Sequence, residues 1–224
     1  MKKLLFPLAI LVLIITVAYL ITPINTVISE PPIYNPADLN PALVDGSLHG
    51  LDQGHRVLDF SLINQDGDTI TQTDYEGAIY ITDFFFTRCP SICPVMSNNM
   101  AQLQEIFKDD DKLKLLSLSV TPEYDSVSVL KKYAIKHGAD VSKWNITTGN
   151  KEHIYTLARK SYFAVVDEGD GGLQDFIHTP NFILVDSLKQ IRGIYDGTKK
   201  EEISRLVDDI NILLKVHRTI LSSK

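Results

Sequence analysis

Cysteine is scarce in this chain of 224 residues, in which Cys89 and Cys93 are the only two. A structural zinc site would therefore also need histidine or carboxylate ligands. The 22 basic and 28 acidic residues leave a formal charge of −6, and they form no basic stripe interleaved with aromatic residues. Nucleic acid is therefore not an expected partner. We also find no internal repeat and no sign of a second globular domain.

The N-terminus holds an uncharged apolar run over residues 4–21, preceded by Lys2 and Lys3. At about 1.5 Å per residue this run approaches the thickness of a bilayer core, and we predict a transmembrane anchor over residues 1–22. A cleaved signal peptide is the alternative, although no Ala-x-Ala site follows the run and no cysteine could carry a lipid. The lysines predict a single-pass protein of the cytoplasmic (inner) membrane with its soluble domain on the periplasmic side, where a disulfide can persist.

Residues 23–50 contain half of the prolines of the chain. Proline disfavours helix, so we predict an extended linker or strap. The sequence leaves open whether this segment packs on the domain that follows. The apolar residues that could make such contacts are Ile33, Tyr34, Leu39 and Leu43.

From residue 51 to residue 224 the hydrophobic pattern predicts alternating strands and helices. Asp66-Gly67 is a hairpin turn signal between strands over 57–63 and 69–72. Further strands are predicted over 78–86, 113–120, 144–147, 179–185 and 190–195. A helix is predicted after the cysteines, with Met96, Met100, Leu103, Ile106 and Phe107 on one face. Further helices are predicted over 125–137 and 151–162 and along the apolar stripe from 203 to 214. A turn-rich segment covers 167–172.

This order of elements predicts an α/β fold in which helices flank a mixed central sheet. It is the order found in thioredoxin-like folds. The predicted organisation is therefore an anchor over 1–22, a Pro-rich linker over 23–50 and one thioredoxin-like domain over 51–224.

The two cysteines occur in the segment Phe86-Thr87-Arg88-Cys89-Pro90-Ser91-Ile92-Cys93-Pro94, directly after the predicted strand over 78–86. Cys93 is expected to begin a helix, whose N-terminal end favours a negative sulfur. A disulfide that only closes so short a loop would remove little chain entropy. The pair is therefore predicted to serve either disulfide chemistry or the capture of a soft metal ion.

A third metal ligand would have to be one of six histidines. His137 and His217 lie near predicted helix C-termini, where a cationic side chain is commonly structural. His178 is different, because it precedes a predicted strand at a place where the fold can bring a loop against the first helix. The remaining histidines are His49, His55 and His153, for which the sequence indicates no role.

Three features of the sequence resemble the Sco/SenC family. They are the Phe-Phe-Phe-Thr-Arg-Cys-Pro-Ser-Ile-Cys-Pro segment at 84–94, Leu-Ser-Val-Thr-Pro-Glu at 118–123, and His178 placed eight residues before Asp186. The resemblance covers about residues 56–214. It implies a thioredoxin-like fold behind a membrane anchor, copper bound by Cys89, Cys93 and His178, and a role in assembling the binuclear copper centre of cytochrome c oxidase. The implied client is the copper-bearing oxidase subunit or another cysteine-containing protein.

Two other residues resemble those of thioredoxins and point to electron transfer. Pro180 has the spacing of the proline that is cis in thioredoxins and packs beside the redox pair, and the alternative is an ordinary proline at the start of a strand. Asp83, six residues before Cys89, resembles their buried proton-accepting carboxylate. The alternative function is therefore a thiol-disulfide oxidoreductase that reduces client cysteines, with Cys89 attacking and Cys93 resolving.

Overall fold

The computed structural model describes residues 29–41, 44–164 and 177–222, together with Thr16. Apart from Thr16, the predicted anchor over 1–22 lies outside these residues, as does the predicted turn over 167–172. Within the described ranges, no helix combines the length and the apolar character needed to cross a bilayer.

A five-stranded mixed sheet forms the centre of the domain, in the order β5-β4-β3-β6-β7. Strands β3, β4 and β5 run parallel, whereas β6 is antiparallel to β3 and β7 is antiparallel to β6. A separate hairpin pairs β1 with β2. The strands are β1 Ser61–Ile63, β2 Thr69–Thr71, β3 Ile79–Phe85, β4 Leu113–Ser119, β5 Trp144–Thr147, β6 Asn181–Val185 and β7 Ile191–Asp196.

Strand β3 is buried along its whole length, because core residues cover both faces of the sheet. Ile81 and Phe85 belong to the core cluster that contains the cysteines, and Tyr80 and Phe84 belong to the opposite cluster. Side chains alternate along a strand, so Asp83 points to the side of the cysteines. The apolar run read from the sequence is thus a central strand, as predicted.

Four α-helices accompany the sheet in the part of the chain that the structure describes. They are α1 Ile92–Ile106, α2 Val127–His137, α3 Lys151–Thr156 and α4 Lys200–Ser222. The buried face of α1 repeats at helical spacing through Cys93, Met96, Met100 and Leu103. Ile106, predicted to share this face, is 56% exposed, whereas Phe107 is buried. The predicted helix over 151–162 is divided, because α3 continues into a π-helical turn over Leu157–Ser161.

The Pro-rich segment contacts the domain at several of its described residues. The Tyr34 amide donates to the Ile191 carbonyl at 2.9 Å, at the edge of β7. The buried Arg192 guanidinium donates to the Pro31 carbonyl and to Asp186 Oδ2. Of the four apolar residues singled out in the sequence, Tyr34 and Leu39 contact the core, Ile33 is exposed and Leu43 lies outside the described residues.

Candidate thiol and metal centre

Cys89 and Cys93 lie where β3 ends and α1 begins. The Cys89 amide donates to the Phe86 carbonyl at 3.2 Å, which closes a turn with Thr87 and Arg88 at its centre. Helix α1 begins at Ile92, one residue before the predicted start, so Cys93 lies in its first turn. The Cys93 amide, which has no acceptor within the helix, donates to Cys89 Sγ at 3.4 Å. The cysteines form no disulfide, and Cys89 and Cys93 are 5% and 2% exposed.

The two thiols differ in acidity. Burial alone would raise the pKa of Cys89, but hydrogen bonds from the amides of Cys93 and Ser91 and from the His178 ring outweigh it and bring the pKa to about 6. Burial raises the pKa of Cys93 far above its usual value, and the neighbouring Cys89 and Asp83 act in the same direction. At neutral pH Cys89 is therefore a thiolate and Cys93 a thiol.

His178 reaches the pair from a distant part of the chain. Its Nε2 lies 3.9 Å from Cys89 Sγ, and its ring centroid lies 6.0 Å from that of Phe86. Strands β3 and β6 pair antiparallel with Thr82 opposite Ile183. β3 leads into the cysteine turn and His178 lies shortly before β6, so the antiparallel pairing brings both to the same edge of the sheet.

The side chains of Cys89, Cys93 and His178 are not arranged as a three-ligand metal site in the structure. In the described parts of the chain, no three His, Cys, Asp or Glu side chains are grouped closely enough to hold a metal. The structure does bring His178 to Cys89.

Asp83 is buried in the sheet and is 1% exposed. Its Oδ1 accepts a hydrogen bond of 2.5 Å from Ser117 Oγ, which in turn accepts one of 2.9 Å from Trp144 Nε1. Burial raises the pKa of Asp83 to about 7, although the Ser117 hydrogen bond opposes this shift. A carboxyl group with this pKa can take up or release a proton near neutral pH.

The interpretation of Pro180 as a cis proline is wrong, and the alternative, an ordinary proline before a strand, holds. The described residues contain no cis peptide bond, so the bond from Thr179 to Pro180 is trans. Pro180 stands directly before β6, where a missing amide donor costs no ladder hydrogen bond. Its carbonyl instead accepts from the Gly197 amide at 2.7 Å.

Sequence reasoning missed Asp125, which is fully buried beside the cysteine turn. It accepts hydrogen bonds from Thr87, Ser119 and Thr121. The available signal was an acidic residue shortly after a buried strand, in the segment that follows Leu-Ser-Val-Thr-Pro-Glu. Its contact with Thr87 depends on the pairing of β3 with β4, which the sequence does not display.

Comparison with known proteins identifies the family. The SCO1/SenC family model matches residues 50–215, which is most of the chain. This chain belongs to the SCO1/SenC family. Among curated SCO1/SenC relatives, the SCO1 protein homolog of Bacillus subtilis is 31% identical over 158 residues, covering 70% of this chain and 81% of the relative. A SCO2-like protein of Rickettsia felis is 33% identical over 151 residues, covering 65% and 72%.

Solved SCO1/SenC structures share the fold. A SCO1/SenC family lipoprotein from Bacillus anthracis superposes with a TM-score of 0.63 at 30% identity, covering 71% of this chain and 95% of that one. BsSco, a member of the Sco family of cytochrome c oxidase assembly proteins in which a disulfide switch was identified, gives 0.61 at 30% identity and covers 71% and 93%. The thioredoxin-like α/β fold and the membership of this family, both predicted from the sequence, are therefore confirmed.

Proposed function

We propose that this chain is a membrane-anchored copper chaperone that binds one cuprous ion and helps to assemble the binuclear copper centre of cytochrome c oxidase. The observation that carries the proposal is the approach of His178 Nε2 to 3.9 Å from Cys89 Sγ, in a member of the SCO1/SenC family. Cys89, Cys93 and His178 are the proposed ligands. The proposed client is the copper-bearing subunit of the oxidase.

The donor set suits a cuprous cargo. Thiolate ligands are soft and favour Cu(I), and imidazole is a common partner. Cys89 with a pKa of about 6 presents a thiolate at neutral pH without assistance from a metal. His178 is exposed, so a client ligand can approach the site from the side of the imidazole. A copper chaperone must release its ion to the client as well as bind it, so access to the site matters as much as affinity.

Anaerobic titration of the reduced full-length chain with cuprous ion tests the proposal. We expect one tightly bound ion per chain, measured by competition with a chromogenic cuprous chelator. The chain is extracted with detergent from the membrane fraction, where the proposed anchor over 1–22 would retain it. A reduced chain that leaves the chelator fully loaded would contradict the copper proposal, and recovery without detergent would contradict the anchor alone.

A second function, thiol-disulfide exchange, is favoured by the unequal acidity of the two thiols. Cys89 thiolate would attack a client disulfide, forming a mixed disulfide and releasing one client thiolate. Cys93 would then attack the Cys89 sulfur, releasing the second client thiolate and leaving a Cys89–Cys93 disulfide. Two electrons pass to the client, and Asp83 is the proposed acceptor of the Cys93 proton.

Kinetic trapping tests this second function. In a Cys93→Ser chain, the mixed disulfide between Cys89 and a model disulfide such as oxidised glutathione should accumulate. Its rate of formation should rise with pH through about 6 and then level off, because the pKa of Cys89 lies there. The measurement is mass spectrometry of quenched samples, with Cys89→Ser as the control that should not react. A rate that keeps rising to pH 9 would contradict the assigned acidity.

A further inference from the structure

The loop over residues 121–125 lies against the turn that carries Cys89. It follows β4, which pairs in parallel with β3 so that Phe85 lies opposite Ser119. The Val120 amide still donates to the Phe85 carbonyl at 2.9 Å. Continuing the register brings Thr87 beside Thr121, so the fold itself places the two loops in contact.

Asp125 makes the inner contact between the loops. Its carboxylate is fully buried and accepts from the Thr87 amide at 3.2 Å and from Thr87 Oγ1 at 2.5 Å. The hydroxyls of Ser119 and Thr121 donate to its Oδ2 at 2.5 Å and 3.0 Å. A buried carboxylate needs such donors, and hydrogen bonds to an ionised group are stronger than neutral ones. Thr87 is therefore held from both its backbone and its side chain.

The outer contact is made by Tyr124. The Arg88 guanidinium carbon lies 3.8 Å from the centroid of the Tyr124 ring, within the range of a cation–π contact. Thr87 and Arg88 are the central residues of the turn closed by the Cys89 amide. The 121–125 loop therefore contacts both central residues of the turn, one through Asp125 and the other through Tyr124.

We propose that Asp125 and Tyr124 are positioning residues that together fix the cysteine turn against the first turn of α1 and so raise the effective concentration of the two sulfurs for each other. Arg88, Pro90 and Ser91 are exposed, so core packing of these side chains does little to hold the turn. Confining one thiol near the other favours formation of the disulfide, without any additional contact between the two cysteines. The inference rests on the proposed function only in taking Cys89 and Cys93 as the working pair.

Thr87 offers the cleanest test, because Asp125→Asn would combine the loss of positioning with the loss of a buried network. Thr87→Val keeps the shape of the side chain and the backbone donor but removes the hydroxyl bond to Asp125. The measurement is the equilibrium constant between dithiol and disulfide forms of the full chain in glutathione buffers. We expect about a tenfold fall in the tendency to form the disulfide, which raises the reduction potential by about 30 mV.

Two variants serve as controls for Thr87→Val. Thr87→Ser keeps the hydroxyl and should restore the wild-type equilibrium constant. Thr82→Val makes the same substitution in β3, where the Thr82 hydroxyl is buried with no hydrogen-bond partner among the described residues. This variant should leave the equilibrium constant between dithiol and disulfide forms unchanged. An unchanged equilibrium constant in Thr87→Val, with only a lower urea midpoint, would overturn the proposal. An equal shift in Thr82→Val would overturn it as well.

Tyr124 provides a second pair of variants if Thr87→Val does not fold. The Tyr124 side chain is 56% exposed, so its replacement leaves the core intact. Tyr124→Leu removes the ring beneath Arg88 and should shift the equilibrium constant about threefold in the same direction, whereas Tyr124→Phe keeps the ring and should not. No shift in Tyr124→Leu would overturn the proposal. These measurements use no copper, so a failed copper titration and a failed positioning role are distinguishable.

Discussion

The His178→Ala chain should bind cuprous ion at least about 100-fold more weakly than the wild-type chain. Loss of a residue that only orients a metal ligand already lowers metal affinity by about 10- to 100-fold, and loss of the ligand itself should lower it more. His178 is the one proposed ligand outside the cysteine segment, and its Nε2 lies 3.9 Å from Cys89 Sγ. The measurement is anaerobic competition with a cuprous chelator of known affinity.

His49→Ala is the matched control for His178→Ala. Both histidines are exposed, but the His49 ring contacts the Val44 carbonyl at 2.9 Å in the Pro-rich segment. The control should keep the wild-type affinity. If His178→Ala binds cuprous ion as tightly as the control does, the three-ligand site is wrong. The two cysteines would then have to bind the ion without this imidazole.

Asp83→Asn should change how stability depends on pH. Burial raises the pKa of Asp83 to about 7 from an ordinary value of 3.8. Between these values the folded chain keeps a proton that the unfolded chain has lost. The contribution of Asp83 to the free energy of unfolding is therefore fully present below about pH 4. It falls as the pH rises, until the folded chain also loses the proton near pH 7. The full loss is about 4 kcal/mol, and the part between pH 5 and pH 8 is about 3 kcal/mol.

The free energy of unfolding in urea, measured from pH 5 to pH 8 in reducing buffer, tests this expectation. Asparagine does not titrate, so Asp83→Asn should gain about 3 kcal/mol on the wild-type chain across that range. The exposed Asp52 provides the control, because Asp52→Asn should follow the wild-type pH dependence. A constant difference between Asp83→Asn and wild type at every pH would show that Asp83 does not titrate in this range.

The same protonation links Asp83 to the second proposed function. Its charge contributes to the raised pKa of Cys93, after burial and the neighbouring Cys89. A Cys93 thiol that must lose its proton to resolve a mixed disulfide needs an acceptor with a pKa near the working pH. The Asp83→Asn chain thus also provides the variant in which resolution by Cys93 should slow while attack by Cys89 continues.

Short-range pattern in the sequence predicted most of the fold. The apolar run of β3 and the apolar spacing of α1 depend on neighbours within a few residues, where the strand and helix periods act. The same kind of pattern predicts a helix that begins at Cys93, and the observed helix begins one residue earlier, at Ile92. Family resemblance added His178 as a partner of the cysteines, a pairing that spacing alone does not indicate.

The sequence by itself determined the chemistry that is available: two thiols four positions apart after a buried strand, and a carboxylate within that strand. Tertiary structure alone decided which distant groups meet them. The antiparallel pairing of β6 with β3 brings His178 to Cys89, and the parallel pairing of β4 with β3 brings Asp125 to Thr87. It also left Thr179–Pro180 trans. Strand pairing joins residues that are far apart in the chain, and the apolar period within one strand indicates a strand without specifying which other strand pairs with it.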